Sequence, residues 1–291
     1  MKLSTFYTRT SYALRGNDEE SPEHGSEEAT YWLSVLNQKI EELAQDVTKQ
    51  WRFTFKETAP NEPGTVATTA TTTLTGTSTN FLDYRVGDKI TVSGETVRTI
   101  ATITSDTVLT VTVAFSNTAS AKTFTLATII ATGVETYSLH RNFLAPSDKV
   151  YITTTGDNRV YFDIIQPQER TTETQNVFLS DESPETINFS DDIESTNNIV
   201  GGTLTVPGYY SPAAVTATTD DLPVPDPNWA VYIVASEIAE NDITYEDKSA
   251  NLNNKANSLY SMMIRRNRRG TYNNPRTSTY NVKRIRNTET Q

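Results

Sequence analysis

The chain has 291 residues, no cysteine, two histidines, and 36 Asp+Glu against 25 Lys+Arg, for a formal net charge of -11. Those counts exclude disulfide frameworks, Cys-ligated zinc or iron–sulfur centres and His-rich metal sites, while the length allows two domains or one with a substantial insertion. Apolar residues make up 36%, below the ~45–50% of an average globular domain (an average that counts Gly as apolar), so the core is expected to be thin, elongated or shared with partner chains.

No apolar run approaches the ~18–20 residues needed to cross a bilayer, and Met1-Lys2-Leu3-Ser4 opens no signal-peptide stretch, so a soluble chain is expected. Residues 1–25 read as an acidic lead-in, with Asp18, Glu19, Glu20 and Glu23 continuing into Glu27 and Glu28. A helix is predicted over 26–51, because Trp32, Leu36, Ile40, Leu43, Val47 and Trp51 recur every three or four residues on one face. Ser26 is its N-cap, and Glu27 and Glu28 favour the positive end of the helix dipole. Trp51-Arg52-Phe53-Thr54-Phe55 alternates and predicts the start of a strand.

Pro60-Asn61-Glu62-Pro63-Gly64 then punctuates the chain, and Thr65–Thr128 is dense in Thr, Val, Ile and Ala with few charges. β-branched enrichment favours strands, and disordered segments lack it, so a folded β module inserted over 61–133 is predicted. Within it, 86–95 reads as turn, strand, turn, with further strands over 97–103 and 108–113. Strands are also predicted over 134–139, 149–155, 159–165, 174–179 and 200–206, with Gly156-Asp157-Asn158 as a hairpin turn.

Pro207, Pro212, Pro223, Pro225 and Pro227 mark an extended connector. Asp226 as N-cap and Pro227 as first helical residue open a helix with Trp229, Ile233, Ser236 and Glu240 on one face and Tyr232, Ala239 and Ile243 beside it. A last helix is predicted from near Thr244, with Asp247 completing a capping box and Leu252, Ala256, Leu259 and Met263 repeating at helical spacing. That periodicity fades beyond Arg269-Gly270, and Asn273-Asn274-Pro275 predicts an extended arm over the last twenty residues.

The charge is split along the chain. Residues 255–291 hold nine Lys/Arg and one acid, a net +8, which leaves -19 for everything before them. Guanidinium groups in such an arm suit nucleic-acid phosphates, carboxylates of an acidic protein partner, or plain solvation. An acidic body argues against wrapping DNA, and interleaved Tyr272, Pro275, Tyr280, Val282 and Ile285 supply anchors that a solubilising tail does not need. The favoured reading is therefore protein docking.

No phosphate-cradling Gly-rich loop and no Gly-x-Ser-x-Gly elbow occurs. A triad would have to use His24, in an acidic flexible lead-in, or His140, at a strand end where a turn or interface role is expected. Asp191-Asp192 and Asp220-Asp221 lie in loops rich in polar residues and proline, poor surroundings for a raised carboxyl pKa. A non-enzymatic protein without metal or cofactor is expected.

Three stretches carry a resemblance. Residues 135–144 (ETYSLHRNFL), 222–239 (LPVPDPNWAVYIVASEIA), and 86–92 with 103–111 (VGDKITV and ITSDTVLTV) are similar to parts of the head-to-tail adaptor, or connector, proteins of tailed bacteriophages. The resemblance implies an α+β fold: a helical bundle from N- and C-terminal segments joined to a β-sandwich or barrel domain, with an inserted small all-β module and an extended C-terminal arm. The divisions are 1–25, a core of 26–60 and 134–264, the module 61–133, and the arm 265–291. It further implies a structural virion protein of the neck, made in the host cytoplasm, that forms a ring, by family likeness of twelve copies, around a channel through which DNA passes without specific binding.

Its partners would be the portal protein and tail or stopper proteins. The portal would be contacted by Arg265, Arg266, Arg268, Arg269, Tyr272, Arg276, Tyr280, Lys283, Arg284, Ile285 and Arg286. Bundle and ring would pack through Trp32, Leu36, Ile40, Leu43, Val47, Trp229, Ile233, Leu252, Leu259 and Met263. Three alternatives stay open: a receptor- or glycan-binding β module of a phage fibre or adhesin, a stopper or terminator at another neck joint, and a hydrolase built on His140.

Overall fold

A computed structural model describes residues 1–16, 21–147, 149–154, 156–165, 176–180, 186–190, 192–194 and 197–272. The chain is α+β. It divides into two compact units, one formed by Met1–Phe53 with Ala213–Gln291 and the other by Thr54–Pro212.

The first unit is helical. α1 (Leu3–Arg15) occupies the segment read from sequence only as an acidic lead-in, and it buries Leu3, Phe6, Tyr7 and Leu14. Its end is marked by Gly16 in the left-handed region, whose N–H donates to Tyr12 O, a closure that glycine adopts without Cβ strain. α2 (Glu27–Gln45) starts as expected, with Ser26 Oγ accepting from Ala29 N and Trp32, Leu36, Ile40 and Leu43 buried. It ends six residues sooner than the periodicity predicts. Val47 instead lies on a 3-10 turn, Val47–Lys49, and is only partly buried, because the backbone leaves the helical region at Asp46 (ψ 69°), and Gln50 in the left-handed region then closes the turn. Trp51 is buried, but on the turn that follows and not on a strand, with its ring 6.1 Å from that of Tyr260.

α3 (Pro227–Asn241) is capped by Asp226, whose carboxylate accepts from Asn228 N. The expected single face is corrected: Trp229, Ala230, Val231, Val234, Ala235, Ile238 and Ala239 are buried around most of the helix, whereas Ile233 is only partly buried and Glu240 is exposed. Ile243, 90% exposed, lies beyond the helix end. α3 packs against α1, α2 and α4 (Glu246–Tyr272), and a helix with neighbours on several sides needs apolar residues all round. α4 starts two residues after the predicted Thr244, whose N–H is held by Asp242 Oδ1. It buries Leu252, Ala256 and Met263, with Leu259 partly buried against the same core. It also runs past Arg269-Gly270, so residues 265–272 are helical and the predicted extended arm does not begin there.

The second unit holds three sheets. β1 (Phe55–Lys56), β16 (Gly208–Tyr210) and β10 (Phe143–Pro146) form the smallest, in the order β1-β16-β10. A six-stranded sheet runs β15 (Thr203–Thr205), β11 (Lys149–Thr153), β12 (Arg159–Ile164), β13 (Asn176–Ser180), β14 (Thr186–Phe189), β9 (Thr136–Ser138). Only its β12–β13 pair is parallel. Residues 65–127 build a seven-stranded antiparallel sheet: β7 (Thr118–Lys122), β2 (Thr65–Thr69), β3 (Thr73–Thr77), β6 (Val108–Val111), β5 (Arg98–Ser105), β4 (Lys89–Val92), β8 (Phe124–Ala127). Its outermost strands β7 and β8 are separated by Thr123 alone, so the sheet must curl until its edges approach, which leaves little open edge for stray pairing. Alternating burial along β3 and β6 shows why Thr-rich sequence suffices: Leu74, Leu109 and Val111 are buried while the threonines between them are exposed or only partly buried.

Candidate functional site

Two places in the described residues gather charged or titratable side chains. The first is the C-terminal end of α4, which at 27 residues is about 40 Å long. Arg265, Arg266 and Arg268 are exposed along its last turns, and Arg266 Nη1 lies 3.4 Å from Asp226 Oδ2 at the start of α3. Arg269 and Tyr272 belong to the same helix. Arg276, Tyr280, Lys283, Arg284, Ile285 and Arg286 lie outside the described residues.

Sequence reasoning missed the residue that fixes this end. Asn267 Nδ2 donates to Lys49 O at 2.7 Å and Gln50 O at 3.2 Å, and its Oδ1 accepts from Arg52 N at 3.3 Å. One amide thereby satisfies the backbone of the turn after α2. The opposite end of α4 carries Glu246 and Asp247 in its first turn, close to Asp242 beyond α3, while Lys248 Nζ donates to Leu14 O at 2.5 Å. The helix is acidic where its dipole is positive and basic where it is negative.

The second place is a cavity of about 260 Å³ in the β unit, lined among others by Glu62, Tyr84, His140 and Tyr210. Glu62 precedes β2, Tyr84 follows the turn at Phe81–Asp83, His140 follows β9, and Tyr210 ends β16. The tautomer of His140 follows from its partners. Asn142 N donates to Nδ1 at 3.0 Å, so Nδ1 is the unprotonated acceptor. Nε2–H then points at Asn61 O, 3.3 Å away, and at Glu62 Oε2, 3.4 Å away.

The two side chains are 5% and 2% exposed. Burial pushes the Glu62 carboxyl up to about 7, against the hydrogen bond from Tyr84 that holds it down and with a smaller push from Asp83. Burial also lowers His140, partly offset by Asn61 O. Both shifts favour the uncharged forms, so the contact is a neutral imidazole facing a carboxyl and not an ion pair. Burial likewise raises the hydroxyls of Tyr84 and Tyr210.

Around this floor, Arg141 grips Asp83 with Nε at 2.6 Å and Nη2 at 3.2 Å, and Arg85 lies 5.2 Å above the Tyr137 ring. Asp88 accepts from Arg85 N and Ile129 N, both at 3.0 Å. The strand-end position of His140 was legible in sequence, but its partner was not, because 78 positions separate Glu62 from it. His24, by contrast, is exposed. Among the described residues no group of three or more His, Asp or Glu side chains is placed to hold a metal ion, and no helix is long and apolar enough to cross a membrane.

Fold and site thus define an α+β protein with a helical unit charged oppositely at the two ends of α4 and a β unit enclosing a titratable cavity. Compared with known proteins, the chain matches no family model and no curated protein.

Proposed function

We propose that this protein is a non-enzymatic structural component of a tailed-phage neck, a ring-forming head-to-tail adaptor that docks on the portal through the basic end of α4 and the residues after it. The observation that carries this reading is the exposed guanidinium set Arg265, Arg266 and Arg268 on the last turns of α4, where Asn267 ties that helix to the turn after α2. A rigidly based row of arginines loses less entropy on docking than a free tail, and guanidinium groups pair bidentately with carboxylates. Of the chain's 36 acidic and 25 basic residues, the β unit holds 18 and 9, a net -9 against -2 for the helical unit. In an assembled ring, the β unit, built as a sandwich or barrel with its Thr-rich module inserted, supplies the acidic wall that DNA slides past.

The test is co-sedimentation with purified portal rings. The expected result is binding by the full chain, loss of at least about tenfold in affinity for a triple Arg265→Glu, Arg266→Glu, Arg268→Glu variant, and a stronger salt dependence for the full chain than for the variant. Equal binding by the two proteins refutes the docking role. Cutting before residue 273 and not at 265 keeps α4 and its Asn267 bonds intact.

A further inference from the structure

We propose that the cavity floored by Glu62, Tyr84, His140 and Tyr210 is a receptor site for a single organic cation of the guanidinium or alkylammonium type, with the Glu62 carboxylate as its counter-charge. The cavity, about 260 Å³, is large enough to admit such a group, and a carboxyl 5% exposed lines it. Tyr84 and His140 face Glu62 as neutral donors, which orient a carboxylate without cancelling its charge.

The Arg141 guanidinium is bound to Asp83, and the Arg85 guanidinium lies over the Tyr137 ring, beside Asp88. Neither arginine is paired with Glu62, so an ionised Glu62 keeps its charge for an incoming cation. The rest of the lining mixes threonines, among them Thr58, Thr125 and Thr203, with apolar residues and includes no Lys or Arg. A buried charge of this kind is costly until it is paired, and an incoming cation pairs it while displacing the proton that Glu62 otherwise carries.

Every titratable neighbour pushes binding the same way with pH. Acid protonates Glu62 and, further down, His140, and both changes repel or release a cation; Tyr84 and Tyr210 stay neutral hydroxyls, since burial raises both. The source of the cation is either a free small molecule or an arginine side chain of a polypeptide, and the two are separable.

Titration of the nitrogen-15-labelled full chain with methylguanidinium chloride at pH 8 is expected to give saturable shifts of the Glu62, Tyr84 and His140 amides. At pH 5.5 affinity is expected to fall by about tenfold or more, as expected for a carboxyl titrating near 7, and N-methylurea, the neutral isostere, is expected not to bind. Glu62→Gln is expected to abolish the shifts. Displacement of methylguanidinium by a synthetic peptide of residues 276–288 assigns a polypeptide source, and binding of the free ion alone assigns a small-molecule source. Equal binding of N-methylurea, unchanged affinity at pH 5.5, or unchanged affinity in Glu62→Gln overturns the proposal. Should that variant fail to fold, the wild-type comparisons of charged with neutral ligand and of the two pH values decide it alone.

Discussion

At Glu62 two opposing effects are on view in one side chain. Tyr84 and the imidazole N–H favour the carboxylate, and burial favours the acid; burial wins, since the carboxyl is raised to about 7. An unfolded chain ionises the same group near 4.5, so the folded state holds the proton longer. The stability that the protonated form contributes is complete below about pH 4.5 and disappears as pH rises through 7, a difference on the order of 3 kcal/mol. His140 works in the other direction: with its folded pKa lowered, its share is complete above 6.5 and lost as pH falls. Thermal unfolding of Glu62→Gln against the parent separates the two. The variant is expected to gain stability relative to the parent between pH 5 and pH 8, and a difference that stays flat across that interval contradicts the neutral-pair assignment. Asn267 offers a simpler case at the same scale. Asn267→Ala leaves the carbonyls of Lys49 and Gln50 and the N–H of Arg52 without the bonds that the amide makes, a loss expected at about 1–3 kcal/mol and readable as a lowered urea midpoint.

Among the elements, legibility followed locality. α2 and α3 announced themselves through caps and spacing that operate within four residues, and Ser26 and Asp226 accept the N–H groups expected of N-caps. α1 did not. Its sequence, LSTFYTRTSYALR, has few strong helix formers and spends Thr and Ser on the buried face (Thr10 and Ser11), so propensity and hydropathy both point away from helix; Gly16 was the one readable stop signal. The end of α2 departs from the apolar spacing, which continues through Val47 and Trp51 while the backbone has already left the helix at Asp46. Long-range pairs such as Glu62 with His140, or β12 with β13, leave no trace in a single sequence. Close backbone approach is similar: Gly208 falls in the proline-marked connector read from sequence, yet it lies on β16, where an added Cβ would meet Ala145 O at 2.5 Å and a Phe143 ring carbon at 2.7 Å. Because the carbonyl belongs to the partner strand β10, it cannot yield without opening the β10–β16 ladder. Gly208→Ala is therefore expected to destabilise the β unit by about 1–3 kcal/mol, measured as a shift of the thermal midpoint.

For the whole molecule, the decisive feature is that one linear chain feeds three cores, one helical and two in the β unit. The helical core draws on residues from Leu3 to Met263, while the two β cores draw only on residues between Ala59 and Tyr210. The chain leaves the helical unit after Phe53 and returns at Ala213, and the two crossings run beside each other, with Tyr210 N donating to Thr54 O at 2.8 Å. All three tryptophans, Trp32, Trp51 and Trp229, are buried in the helical core, so tryptophan emission reports that unit alone, whereas far-ultraviolet dichroism reports both. Separate cores unfold as separate cooperative units unless they stabilise each other. Chemical denaturation followed by the two probes is accordingly expected to give midpoints that do not coincide, and fragment 54–212 is expected to reproduce the transition to which tryptophan is blind. Glu62→Gln should then move only that transition, and Trp32→Ala, a loss of about 3–5 kcal/mol, only the fluorescent one. Coincident midpoints in the full chain, with each substitution shifting both probes equally, would mean that the helical and β cores fold as one unit.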